Sequence, residues 1–239
     1  MDRPVALITG ASQGLGRAIA ETLAARGWRL VIDARRHDRL EPTAASLAST
    51  TEVVAIAGDV TDVGHRADLI AAIEGLGRLD LVVNNASTLG TSPLPSLATI
   101  DLDVLRDVFE TNVVAPVALT QSLLPELRDR GGTVVNITSD AGVEAYAGWG
   151  GYGSSKAALE HLSAVLAAEE PKVRVLWVDP GDMRTELYAT AVPDDPDFAD
   201  RAAPEAVAPA LLRLLDEGAV SGRYSAPALL EGLRQEGAR

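Results

Sequence analysis

The chain contains no cysteine, which excludes disulfide crosslinks and thiolate metal sites from the outset. Histidine is scarce too. His37, His65 and His161 lie too far apart in sequence to suggest a ligand set, so all three are read as surface residues and no metal is expected. Basic residues are in deficit, 21 against 34 acidic ones, and the resulting net charge of −13 disfavours nucleic acid or an anionic membrane as a broad-surface partner. Long hydrophobic runs are missing as well: none reaches membrane-spanning length, and the run at residues 5 to 8 meets Thr9 and Gly10 too soon to be a secretory signal. A cytoplasmic protein is expected, in which the sequons at Asn85 and Asn136 are chance matches.

What is present fits a single domain spanning residues 1–239. Hydrophobic residues make up 47% of the chain, without repeats or low-complexity tracts, enough for one large core. Short β-rich runs at residues 5–8, 30–32, 53–56, 79–83, 133–137 and 173–178 alternate with longer helical stretches. The runs are mostly apolar instead of strictly alternating, which indicates strands buried on both faces. An α/β fold follows: a Rossmann-like doubly wound parallel sheet with helices on both faces.

The first run leads into Thr9-Gly10-Ala11-Ser12-Gln13-Gly14-Leu15-Gly16, and a strong helix-forming pattern follows at once. Glycines let the backbone turn tightly and approach a ligand, while the N–H groups and positive end of the next helix suit a pyrophosphate. The turn's place between a first strand and a first helix is the context that a nucleotide-binding turn requires.

A second stretch, residues 139–156, carries acid-base chemistry. Ser139 precedes Tyr152 by thirteen residues, and Lys156 follows Tyr152 by four. A helix opening near Gly150 places Tyr152 and Lys156 on one face. A phenol titrates near 10, so bringing it to neutrality takes about 4 kcal/mol at roughly 1.36 per unit, much of which a fixed ammonium in a desolvated site could supply.

Taken together, Thr-Gly-x-x-x-Gly-x-Gly and Tyr-x-x-x-Lys resemble the short-chain dehydrogenase/reductase family, and further matches fall in order across residues 5 to 185. Asp59-Val60 resembles the family's adenine contact, Asn84-Asn85-Ala86 its fourth-strand motif, Asn112 its active-site asparagine, and Pro180, Gly181, Met183 and Thr185 its nicotinamide-facing segment. The resemblance implies that Tyr152 is the general acid or base and that Ser139 holds the substrate oxygen. It also implies that Lys156 binds the nicotinamide ribose and lowers the tyrosine pKa, and that a water near Asn112 relays protons. Cofactor contacts are accordingly expected from Gly10, Ser12, Gln13, Gly14, Leu15, Gly16, Arg35, Asp59, Val60, Asn85, Ala86, Tyr152, Lys156, Pro180, Gly181, Met183 and Thr185. Pro116, four residues after Asn112, lacks an N–H and should kink its helix, freeing the Asn112 carbonyl for that water.

The cofactor choice turns on residues 31–36. In the family the discriminating acid falls at Ala34, and Arg35 matches the arginine of NADP-using members; Asp33 is one residue early and should face away from the ribose. NADP is preferred, with NAD as the alternative. Two departures stand out: Ser87 replaces the usual glycine after Asn84-Asn85-Ala86, and residues 221–228 lack the family's common C-terminal ending.

The implied activity is reduction of a ketone or oxidation of a secondary alcohol. Trp149, Met183, Leu187 and Tyr188 favour a moderately hydrophobic small molecule, and residues 182–203 are expected to form a lid whose 193–200 portion is a mobile surface loop. A ketoacyl-thioester reductase, with Arg128, Arg130 and Lys172 as a basic docking spot, and a non-catalytic nucleotide sensor are the alternatives. A homodimer or homotetramer is implied, paired through helices near residues 102–130 and 150–169.

Overall fold

Alternation along each strand decides the architecture. In the computed structural model, which describes residues 3–237, β1 (Val5–Ile8) turns Ala6 and Ile8 to one face of a sheet and Val5 and Leu7 to the other. Residues 1, 2, 238 and 239 of the expected domain lie outside the described residues. The same division continues along β2 (Arg29–Ala34), β4 (Leu81–Asn84), β5 (Thr133–Ile137) and β6 (Arg174–Asp179). One face packs on α1 (Gly14–Ala25), α2 (His37–Ala48) and α8 (Pro204–Asp216) through Ile19, Leu23, Leu40 and Leu211. The other packs on α3 (Val63–Leu76) and α5 (Ala115–Arg130) through Leu69, Ile73, Leu119 and Leu123.

All strand pairs are parallel, in the order β3-β2-β1-β4-β5-β6-β7, with β3 at Val53–Ala57 and β7 at Gly222–Ser225. The order reverses between β1 and β4, and the crevice above the carboxyl ends of those strands is where such sheets bind ligands. The seventh strand, β7 (Gly222–Ser225), was not expected from the sequence. Its four residues pair with Leu176–Asp179 and lead into α9 (Ala226–Gly237), so the segment that lacks the family's usual ending still extends the sheet.

Between β4 and β5 the expected long helix is built in pieces. Helix α4 (Leu102–Phe109), N-capped by Asp101, runs into a π turn at Glu110–Val114 closed by Ala115 N–H to the Glu110 carbonyl, and α5 follows. The distortion expected at Pro116 therefore falls one turn earlier, around Asn112, with Pro116 taking the first turn of α5, where a missing N–H costs least.

His65 is not on the surface. Asp62 caps α3 by accepting from Gly64 and His65 N–H, and the helix that starts there turns His65, Leu69 and Ile73 inward at a spacing of four. The His65 ring, 7% exposed, meets the carboxylate of Asp33, 1% exposed, at 3.0 Å from Nε2 to Oδ2. Room for the ring comes from Gly58, where a Cβ would lie 2.2 Å from His65 Nδ1. The other Asp33 oxygen accepts the Gly10 N–H at 2.8 Å, so this pair props up the glycine turn from below. Burial pushes the Asp33 carboxyl above its ordinary range, opposed by its hydrogen bonds to His65 and Gly10.

His65→Ala would leave a buried carboxylate oxygen without its partner, a loss of about 1–3 kcal/mol. The expected result is a lower urea midpoint with an unchanged m-value; an unchanged midpoint would show that the pair does not support the fold.

Candidate active site

Small residues bring the site together. Helix α6 (Gly150–Glu169) lies directly on the loop that leaves β5: a Cβ on Gly153 would fall 2.5 Å from the Ala141 carbonyl oxygen, and one on Gly142 3.1 Å from Ala157 N. This close approach sets Tyr152 and Lys156, one turn apart on α6, against Ser139 in that loop. The Ser87 and Ser139 hydroxyls lie near enough to the Tyr152 phenol to act on its ionisation, and its ring packs edge-on against Trp149 with centroids 5.8 Å apart. Lys156 is buried, donates to the Ile137 carbonyl at 2.8 Å and stands 5.4 Å from the Tyr152 ring centroid.

The electrostatics differ from the expectation of a lowered phenol. Burial pushes Tyr152 up, the Ser87 and Ser139 hydroxyls pull it down, and the carboxylates of Asp179 and Asp140 push it up. Burial also pushes Lys156 down to about 7, since desolvation disfavours either charge. The ammonium faces the ring and is bonded to a carbonyl, a poorer position for stabilising the phenolate oxygen than the sequence spacing implied.

Asn112, 1% exposed, is wholly committed to holding the parts in place. Its Nδ2 donates to the Thr88 carbonyl at 2.9 Å and to Ser155 Oγ at 3.0 Å, while Oδ1 accepts from Thr88 N–H at 2.8 Å and Ser87 Oγ at 3.1 Å. Ser155 in turn donates to the Tyr152 carbonyl at 2.6 Å. The π turn thus ties the exit of β4 to the helical turn that carries Tyr152.

The crevice, about 840 Å³, runs from this centre past the glycine turn to Arg35, Arg36 and Arg39. Of the expected contacts, Gly10, Ser12, Gln13, Gly14 and Leu15 line it at the turn, Arg35, Asp59 and Val60 at the far end, and Asn85, Ala86, Pro180, Met183 and Thr185 along the walls. Gly16 lies beneath, where a Cβ would sit 2.5 Å from the Gly10 carbonyl oxygen, and Gly181 lies behind, with its Cβ position 2.5 Å from Pro227. Asn85 acts on the turn itself, donating from Nδ2 to the Thr9 and Gly10 carbonyls at 2.9 and 3.1 Å. Asp59 lines the crevice while its Oδ1 accepts from Thr61 N–H at 2.9 Å and Thr61 Oγ1 at 2.8 Å.

The residues present fit a dinucleotide. Gln13 precedes α1 without capping it by its side chain, so the helix start offers free N–H groups where a pyrophosphate would lie. Thr138, a residue the sequence reading missed, lines the same crevice with its Oγ1 buried and, among the described residues, unpaired. Nothing but its place before Ser139 could have marked it.

The lid region also differs in part from expectation. Helix α7 (Glu186–Ala191) is N-capped by Thr185, and Met183 and Leu187 line the crevice. Tyr188 instead stacks on Phe198 at 6.2 Å and donates to Asp195, which also pairs with Arg201, so Tyr188 packs within its own segment. These contacts join the 193–200 loop to α7. Tyr146 packs edge-on against Trp149, with centroids 6.4 Å apart, and donates to Asp140 at 2.9 Å.

The arrangement can hold a nicotinamide nucleotide with one end beside a buried phenol, a hydroxyl and an amine. A family model described as short chain dehydrogenase matches residues 4–196. Among curated relatives, a serine 3-dehydrogenase of Agrobacterium fabrum is 38% identical over 185 residues, covering 76% of this chain and 72% of that protein. A sepiapterin reductase of Meriones unguiculatus is 38% identical over 214 residues, covering 82% and 81%. Among solved structures, a short chain dehydrogenase from Pseudomonas syringae superposes with a TM-score of 0.87 at 32% identity, covering 93% of this chain and 94% of that one. An alcohol dehydrogenase from the archaeon Thermococcus sibiricus, complexed with 5-hydroxy-NADP, does so with a TM-score of 0.84 at 30% identity, covering 93% and 95%. The chain belongs to the short-chain dehydrogenase/reductase family and is an oxidoreductase of that family.

Proposed function

We propose that this protein is an NADP-dependent oxidoreductase that interconverts a moderately hydrophobic small ketone and its secondary alcohol. The observation that carries the reading is the Tyr152 phenol set between Ser139 and Lys156 at one end of a crevice whose other end is lined by Arg35, Arg36 and Arg39. Bound NADP(H) supplies or accepts the hydride. Tyr152 gives a proton to the carbonyl oxygen in reduction and takes one from the alcohol in oxidation. Ser139 turns its hydroxyl from Asp140 Oδ1, 3.0 Å away, onto the same oxygen and stabilises the charge that develops there. Lys156 keeps one N–H on the Ile137 carbonyl and would hold the nicotinamide ribose with the others. The Asn112 carbonyl faces no N–H from Pro116, and we assign it the relay water. Met183 and Leu187 supply apolar wall, and Trp149 backs the Tyr152 ring.

Preference for NADP rests on β2. Asp33 is committed to Gly10 and His65 beneath the turn, Ala34 ends the strand, and Arg35 has no hydrogen-bond or salt-bridge partner among the described residues. Arg36 and Arg39 are engaged by Asp38 and Glu186, which leaves Arg35 the freest cation for a ribose phosphate. A carrier-linked ketone is disfavoured because Arg128 of the expected docking spot is bonded through two nitrogens to Glu170. We assign the protein to the cytoplasm; among the described residues no helix is long and apolar enough to cross a membrane. We further assign it a homodimer or homotetramer, supported by exposed Leu162 and Val165 on α6 and Val114 beside α5.

Tyr152→Phe should lower turnover at least about a hundredfold, the lower bound for a positioned acid-base group, with cofactor affinity held within about twofold. Near wild-type turnover with a panel of ketones would overturn the assignment. Arg35→Ala should weaken NADPH about tenfold or more, as expected for a lost charge-assisted hydrogen bond, and leave NADH almost unchanged. Equal losses with both cofactors, or a wild-type preference for NADH, would reverse the cofactor choice. Light scattering at micromolar concentration should give a multiple of 25.0 kDa, and a monomer mass would refute the assembly.

A further inference from the structure

Ser87 stands just past β4, where glycine is usual in the motif that Asn84-Asn85-Ala86 resembles, so its hydroxyl is an addition to the site. That hydroxyl donates to Asn112 Oδ1 at 3.1 Å, lines the same crevice as Tyr152, and lies near enough to the phenol to pull its ionisation down. Its position is fixed from the other side, because the Asn112 amide makes three further bonds and cannot turn without breaking them. Oδ1 also accepts from Thr88 N–H at 2.8 Å and would stay hydrogen-bonded if Ser87 turned away.

A hydroxyl has one proton, two acceptor positions and free rotation about its C–O bond. While the phenol is neutral, Tyr152 can donate to Ser87 Oγ and Ser87 to Asn112. Once the phenol oxygen is charged, it becomes a stronger acceptor than an amide oxygen, and the Ser87 proton is better placed on it. The neighbouring hydroxyl is less free to answer. Ser139 bonds a carboxylate oxygen of Asp140 at 3.0 Å, and in the proposed reaction it serves the substrate. Of the charged groups around the phenol, Asp179 at the end of β6 and Asp140 from the β5 loop oppose its ionisation, and Lys156 on α6 lies over the ring, 5.4 Å from its centroid, with one N–H on the Ile137 carbonyl.

We propose that Ser87 is a catalytic residue, a hydrogen-bond donor that leaves Asn112 Oδ1 and turns onto the Tyr152 oxygen when that oxygen carries negative charge. Ser87 keeps its own proton throughout; only the direction of its O–H bond changes. The proposal rests on the acid-base role given to Tyr152 above.

The test uses full-length protein saturated with NADP⁺. Tyrosinate absorbance is titrated in wild type, Ser87→Ala, Ser87→Gly and Ser87→Thr, with Tyr152→Phe subtracted as the blank. The same proteins give pH profiles of kcat/KM for the fastest-oxidised alcohol in a panel of secondary alcohols. Expected is a Tyr152 pKa about one unit higher in Ser87→Ala and Ser87→Gly, with a kcat/KM loss of about tenfold at neutral pH that closes as pH rises. Ser87→Thr, which keeps the hydroxyl, should return toward wild type. Superimposable titrations of wild type and Ser87→Ala, or an equal kcat/KM loss at every pH, would overturn the proposal. With Tyr152→Phe inactive, such a result removes the Ser87 role alone; with Tyr152→Phe active, the acid-base reading falls and the Ser87 role falls with it.

Discussion

Backbone contact between α6 and the loop after β5 is the constraint on which the site depends. Without side chains at Gly142 and Gly153, the helix settles against the Ala141 carbonyl, and Ser139, Tyr152 and Lys156 meet at one point. The same closeness removes water, so the phenol is pushed up and the amine down, and the polar atoms must find partners within the protein. Lys156 finds the Ile137 carbonyl; Ser155, on the same helix, finds the Tyr152 carbonyl and the Asn112 amide. The polar network follows from the packing.

Much of this was legible in the sequence because it rests on local pattern. Apolar runs of strand length mark a sheet covered on both faces, and the glycine turn, the Tyr152–Lys156 spacing and the helix start at Gly150 need only short-range geometry. What escaped depends on partners distant in the chain. His65 looked like a surface residue until Asp33 and Gly58 were placed around it, although its spacing to Leu69 and Ile73 already assigned it to an inner helix face. Strand β7 is short and mostly polar, GRYS, and forms against the ready-made edge of β6. Tyr188 was read as pocket wall because no sequence pattern reveals that Phe198 and Asp195 hold it. Thr138 and Ser87 are single hydroxyls whose meaning comes only from the crevice.

Charge is distributed against the average. A chain of net −13 gathers Arg35, Arg36 and Arg39 at one end of its crevice and places Asp140, Asp179 and Asp182 around the other. Such an asymmetry would favour one orientation of an anionic ligand in the crevice before any specific contact forms. Asp33 also lines the crevice beside Ala34 and Arg35, but its carboxylate is bonded to the Gly10 N–H and to His65.

The π turn at Glu110–Val114 has a consequence of phase. An i to i+5 closure amounts to one residue inserted into an α-helix, so the helices on either side are out of step by about 100°. Helix α4 thereby turns Val108 inward and leaves Leu102 exposed, while α5 turns Leu119, Leu123 and Leu127 into the core. A deletion within the turn that restored regular α-helix would rotate one helix against the other, and either the core leucines or the Asn112 amide would have to leave its place. The extra residue is what allows one nearly continuous rod to serve two faces at once.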